Sequence, residues 1–134
     1  MTAGSDSDMT SIRSLDANIA GLGFCRISLA QGSITAVQRQ GEEDPSALYC
    51  SPGFVDLQIN GMMGVDFSAP DLSVEGLAHV LPSLWATGCT SFCPTLITNT
   101  REQLERNFKI LERARQTVPG FAESVPCYHL EGPY

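Results

Sequence analysis

The chain has 134 residues, 43% of them hydrophobic, with 8 basic against 15 acidic side chains and a formal net charge of -7. Length alone predicts a single domain with one ordinary core, and the acidic balance without a Lys/Arg cluster excludes nucleic acid as a partner. No apolar run approaches the roughly 20 residues needed to cross a bilayer, which excludes a membrane-spanning helix.

Met1 to Ser14 is rich in Ser, Thr and Asp and lacks the basic start and apolar stretch of a signal peptide, so residues 1–14 read as a disordered leader. Five cysteines (Cys25, Cys50, Cys89, Cys93 and Cys127) form an odd set with no C-x-x-C pair. Without a secretory signal they are expected as reduced, mostly buried thiols of a cytoplasmic protein. Cys89 and Cys93 share one face of an apolar strand as packing groups. A structural zinc site would need two more soft ligands, and none is near in sequence.

From Ala17 to Gln40 apolar and polar residues alternate loosely (Ile19, Leu22, Phe24, Ile27, Leu29, Ile34, Val37), which predicts short antiparallel strands with a tight turn near Gln31-Gly32-Ser33. The charged stretch Gly41 to Pro45 is a loop. After Pro52-Gly53 comes a strand in which Phe54, Asp56, Gln58 and Asn60 share one face and Val55, Leu57 and Ile59 the other. One side is expected to pack on helices and the other to look into a polar space.

A helical period follows in Val74, Leu77, Ala78, Leu81, Leu84 and Trp85, with Asp71 and Ser73 as caps, Gly88 as its close and Pro82 predicting a kink or a late start. Cys89 to Thr98 is a second apolar strand. Thr100-Arg101-Glu102-Gln103 fits a capping box, and Leu104, Phe108 and Leu111 mark an amphipathic helix to about Gln116, ended by Pro119-Gly120. Val125 to Leu130 is the third strand. This βαβαβ order implies parallel strands with right-handed crossovers, and three strands with two helices leave one side and both edges of such a sheet open. The chain therefore reads as part of a larger body.

No G-x-G-x-x-G follows the first of these strands and no P-loop Gly-Lys-Ser/Thr occurs, which argues against a Rossmann half or a nucleotide-binding loop. A (β/α)8 barrel instead carries its chemistry at the C-terminal ends of its strands, where Gln58, Asn60, His129 and Glu131 fall. The expected fold class is α/β: about three strands and two helices of a TIM-like barrel at 52–134, preceded by a small β-sandwich segment at 15–51.

The blocks Pro52 to Gly61, Gly64 to Phe67, Gly88 to Thr98 and His129-Leu130-Glu131-Gly132-Pro133 closely resemble the N-acetylglucosamine-6-phosphate deacetylase family of the amidohydrolase superfamily. The resemblance spans about residues 15 to 134 and implies the sandwich-plus-barrel architecture. It also implies hydrolysis of N-acetylglucosamine 6-phosphate to glucosamine 6-phosphate and acetate in amino-sugar catabolism, one divalent metal ion, zinc by ligand type, and a homodimer for the full-length family. Glu131 matches a metal ligand of the family. Gln58 and Asn60 stand where many superfamily members carry His-x-His; neutral amides are weak ligands, so these two are assigned to hydrogen bonding around the site. His129, two residues before Glu131 on the same face, could orient a ligand or be a hydrogen-bonded barrel histidine.

The remaining family ligands are histidines from later strands, and the acid/base is an aspartate further on, so no catalytic residue is expected within these 134 residues. His79 falls in a helix remote from the strand ends. The expectation is an N-terminal part that is inactive alone. Two alternatives differ in kind. One is another amidohydrolase acting on a cyclic amide or dipeptide, which Gln58 and Asn60 argue against. The other is a non-catalytic remnant or binding module that associates with a partner chain through exposed apolar strand edges.

Overall fold

The computed structural model describes residues 13–132, and the chain divides into two compact units, one ending at Pro52 and the next starting at Gly53. The division corrects the single core that length alone predicts, and it falls one residue beyond the 51/52 segment boundary read from the sequence. Residues 1–12 of the expected leader, and Pro133 of the closing motif, lie outside the described residues.

The first unit is a three-stranded antiparallel sheet of β1 (Arg13–Ile19), β2 (Gly23–Ala30) and β3 (Ser33–Gly41), in that order. Arg13 and Ser14 belong to β1 rather than to a leader, because they pair with Leu29 and Ser28 and so have ladder partners for their backbone. Between β2 and β3, Gln31 (φ 52°) and Gly32 (φ 74°) both adopt the left-handed region. That is the two-residue turn whose twist matches a hairpin, at the position where the sequence predicts it. The buried apolar residues are few (Ala17, Cys25 and Ile27), while Leu22, Ile34 and Val37 of the expected apolar series are exposed.

Asn18 organises the rest of this unit from a fully buried position. Its Nδ2 donates to the Asp44 carbonyl at 2.7 Å, its Oδ1 accepts from the Asp44 amide at 2.9 Å, and its backbone bonds Leu48 and Cys50. The 44–50 loop is thereby tied to β1 with the buried amide fully satisfied, as burial of a polar group requires.

The second unit carries β4 (Phe54–Ile59), β5 (Gly61–Met62), β6 (Val65–Asp66), α1 (Val74–Ala86), β7 (Cys89–Ile97), α2 (Arg101–Thr117), α3 (Phe121–Ser124) and β8 (His129–Glu131). Strands β4, β7 and β8 form one parallel sheet in that order. α1 starts at Val74 because the Ser73 hydroxyl accepts from the Gly76 amide at 3.1 Å. The late start expected from Pro82 does not occur: Pro82 costs only the bond to the Ala78 carbonyl, and both residues are exposed, where water can satisfy it. Ala78 and Trp85 of the expected inward face are exposed, and Leu77, Val80, Leu81 and Leu84 fill it.

Half of the expected capping box forms at α2. Thr100 Oγ1 accepts from the Gln103 amide at 3.2 Å, but Gln103 sends its side chain to Asn107 Oδ1 at 2.7 Å and does not return it to Thr100. The Thr100 amide is taken by Asn99 Oδ1 instead, at 2.9 Å. Asn107 is buried and donates to the carbonyls of Phe67 and Ala69 at 2.9 and 3.2 Å, which fastens the loop after β6 to α2.

The third parallel strand is shorter than the sequence predicts. Gly120 (φ 81°) opens the helical turn α3, and a Cβ there would meet the Trp85 ring at 2.6 Å. The Val125 amide then donates to the Phe121 carbonyl, so the backbone at 125 is satisfied by the turn and the ladder begins only at His129. Phe67, Leu81, Phe92, Leu96, Leu111 and Phe121 anchor the core between helices and sheet, with Phe92 edge-on to Phe121 at a ring-centroid distance of 6.0 Å. Among the described residues no helix is long and apolar enough to cross a membrane.

Candidate metal centre

Three polar side chains converge at the C-terminal ends of the parallel strands. Gln58 lies near the end of β4, Asn60 follows it two residues on, and Glu131 ends β8. Two-residue spacing puts Gln58 and Asn60 on one face of the chain, and likewise His129 and Glu131. β7 lies between β4 and β8, with Ile97 paired to Glu131. Two outer strands of a flat sheet would be roughly 9.6 Å apart, twice the ordinary strand spacing, and only long side chains can meet over the middle one.

They do meet. Gln58 Nε2 donates to Glu131 Oε2 at 2.9 Å, and Asn60 Nδ2 donates to the same oxygen at 3.3 Å. An ionised carboxylate only accepts, so each amide must present its nitrogen to it, and a bond to a charged acceptor is stronger than a neutral one. The backbone of Gln58 is held in turn by Asp56, whose Oδ1 accepts from the Gln58 backbone N–H at 3.0 Å. Both side-chain amides converge on Oε2, and Oε1 receives neither of them. The carboxylate is exposed.

His129 is not part of this trio. Its Nδ1 lies 3.3 Å from Thr95 Oγ1 on β7, and that hydroxyl also donates to the Cys93 carbonyl at 3.1 Å. The structure thus gives the histidine a hydrogen bond on the neighbouring strand. Gly132, at φ 67°, accepts from Thr98 Oγ1 through its carbonyl at 2.5 Å and turns the chain at the end of β8. His79 is exposed on α1. Cys89 and Cys93 are both buried.

Glu131 is a chemically suitable donor for a hard divalent cation, being a carboxylate oriented by two amides. It is one donor only: among the described residues no three His, Cys, Asp or Glu side chains gather where they could share a metal ion. Sequence reasoning had no signal for the support supplied by Thr95, which acts through His129, a neighbour that only the strand register brings close; Asp56 is two residues from Gln58 and was read only as sharing its face.

The second unit is a mixed α/β body with a carboxylate braced at the end of a parallel sheet. That description defines a class, and comparison narrows it. No family model matches the chain. The N-acetylglucosamine-6-phosphate deacetylase of Caenorhabditis elegans is 41% identical over 95 residues, covering 68% of this chain and 22% of that protein. The Bos taurus deacetylase is 40% identical over 95 residues, 69% of this chain and 22% of its own length. The human one is 41% identical over 86 residues, 63% and 20% respectively. The chain thus spans about a fifth of the length of the curated relatives it matches. Among solved structures, the N-acetylglucosamine-6-phosphate deacetylase of Pasteurella multocida aligns over 92% of this chain and 35% of its own, with TM-score 0.72 and 24% identity, a likeness of fold. The resemblance read from the four sequence blocks holds: the chain is related to the N-acetylglucosamine-6-phosphate deacetylases and corresponds to a portion of one.

Proposed function

We propose that this chain supplies the first metal-ligand position of a divalent-metal-dependent deacetylase that converts N-acetylglucosamine 6-phosphate to glucosamine 6-phosphate and acetate. The observation that carries this reading is the pair of amides from β4 and its end that grip one oxygen of Glu131 across β7. Such partners around a ligand fix its orientation and tune its basicity. In this reading Glu131 holds the ion, zinc by choice of ligands, while Gln58 and Asn60 orient the carboxylate and His129 stiffens the strand that carries it. When bound, the ion supplies Lewis acidity, which polarises an acetyl carbonyl and acidifies water.

The same reading makes the second unit the opening part of a (β/α)8 barrel, the first unit one layer of a β-sandwich, and the assembled enzyme a cytoplasmic homodimer. One carboxylate does not close a site that ordinarily takes three protein ligands. The 134 residues alone are therefore inactive. A second reading, a non-catalytic module bound to a partner chain, draws support from the exposed apolar residues Phe54, Val55 and Leu57 on β4.

The decisive test joins this chain to the remaining residues of the Pasteurella multocida deacetylase. The chimera is expected to retain one divalent ion per polypeptide and to release acetate from N-acetylglucosamine 6-phosphate, and Glu131→Ala to lose both. Retention of metal and turnover after Glu131→Ala overturns the ligand assignment. Acetate release by the unextended chain overturns the claim that it is inactive alone.

A further inference from the structure

We propose that Cys93 and Cys127 form a peroxide-reactive thiol pair whose disulfide braces β8 against β7 beside the Glu131 site. The sulfurs lie 3.2 Å apart, and the strand register explains why. Thr95 pairs with His129 at the first rung of the β7–β8 ladder, and Cys93 and Cys127 each lie two residues before that rung, so the chain enters the ladder with the two thiols side by side. Neighbouring parallel strands lie about 4.8 Å apart, inside the roughly 4.4–6.8 Å Cα separation that a disulfide spans. A bond of ~2.05 Å needs the sulfurs to close by about 1.2 Å. Cys127 precedes the ladder of β8 and is free of it, so it can make that movement.

The environments of the two thiols assign their roles. Cys127 is exposed and Cys93 is buried, so a small oxidant meets Cys127 first. Burial, with the neighbouring thiol, pushes Cys93 up to about 11, which keeps it protonated and disfavours it as the first nucleophile. The Cys127 thiolate attacks hydrogen peroxide, the O–O bond breaks, and Cys127 becomes a sulfenic acid with release of hydroxide. The Cys93 sulfur then attacks the Cys127 sulfur, the S–O bond breaks, and the departing hydroxide leaves as water with the Cys93 proton. Overall two thiols and one peroxide give one disulfide and two waters. A dithiol such as dithiothreitol returns two electrons and reverses it.

The test treats the reduced 134-residue protein with hydrogen peroxide and follows its intact mass. A loss of about 2 Da is expected, reversed by dithiothreitol, unchanged in Cys50→Ser and Cys89→Ser, and abolished in Cys127→Ser, a substitution at an exposed position. In Cys93→Ser the expected product is a sulfenic acid at Cys127 that dimedone traps. Should Cys93→Ser fail to fold, Cys127→Ser and peptide mapping of the cross-link decide the matter. A mass loss that persists in Cys127→Ser, or oxidation of Cys127 to sulfinic acid with no cross-link to Cys93, overturns the proposal.

Discussion

β4 and β7 are neighbours in one parallel sheet and read alike along the chain, yet they end in opposite environments. Phe92 and Leu96 of β7 are 1% and 0% exposed, whereas Val55 and Leu57 of β4 are 58% and 71% exposed. The residues are equally apolar, so the difference lies in what covers them. β7 has a strand on each edge and its Phe92 and Leu96 sit in the core cluster. β4 is paired along one edge only among the described residues. Hydrophobic character sets a preference for burial, and covering elements decide whether it is met. The expected packing of Val55 and Leu57 on helices is therefore corrected here: both are exposed, and α1 and α3 lie against β7.

The largest effect should come from opening the covered strand. Phe92→Ala removes a fully buried ring that packs edge-on against Phe121, and such truncations cost about 3–5 kcal/mol. Urea unfolding should show that loss with little change in the slope of the transition. A loss below about 1 kcal/mol would mean that β7 is no better packed than β4, and the contrast would collapse.

The next effect is a pH dependence to which β7 contributes through Cys93, setting in below the range where Tyr128, raised from 10.0 to about 12, adds its own. The Cys93 thiol rises from 9.0 to about 11 in the folded chain, first through burial and then through Cys127 and Asp56. A raised value means the folded state holds its proton more tightly than the unfolded one. The contribution of this thiol is therefore complete below pH 9.0 and is lost as pH climbs toward 11. One proton limits the slope to about 1.4 kcal/mol per pH unit, and solvent on the Cys127 side lowers it further. Denaturant titrations under reducing conditions should show this decline, and Cys93→Ser should flatten it. An unchanged slope in Cys93→Ser would assign the alkaline sensitivity elsewhere.

What the sequence made legible divides along the same line. The starts of β4 and β7, the Ser73 and Thr100 caps and the Gln31-Gly32 turn depend on residues within a few positions of one another, so local chemistry suffices. Gln58, Asn60 and Glu131 were singled out by strand-end position and by motif, although their mutual contact spans 73 and 71 residues. Most of the misses needed distant partners. Asn18 is anchored 26 residues away and Asn107 40 residues away, and a lone Asn carries no sign of either. The β5–β6 hairpin is two residues per strand around Met63 at φ 54° and Gly64 at φ 79°, too short for any periodicity to register. The strand read from Val125 begins only at His129, because the helical turn α3 just before it takes the Val125 amide, and α3 is held from another helix by the Trp85 indole, which donates to Ser124 at 3.1 Å.

The smallest effect is the most discriminating for β4. Leu57→Asn on this chain should change unfolding free energy by no more than about 0.5 kcal/mol, as exposed substitutions do, since the side chain already meets solvent. The same change in the chimera with the remaining residues of the Pasteurella multocida deacetylase should cost several-fold more if that added sequence covers β4, because a buried amide without partners loses its hydration. Equal and small losses in both backgrounds would show that β4 stays bare even in the longer protein. The exposed pair Val55 and Leu57 would then belong to a surface that another chain covers, which is the outcome the binding-module reading requires.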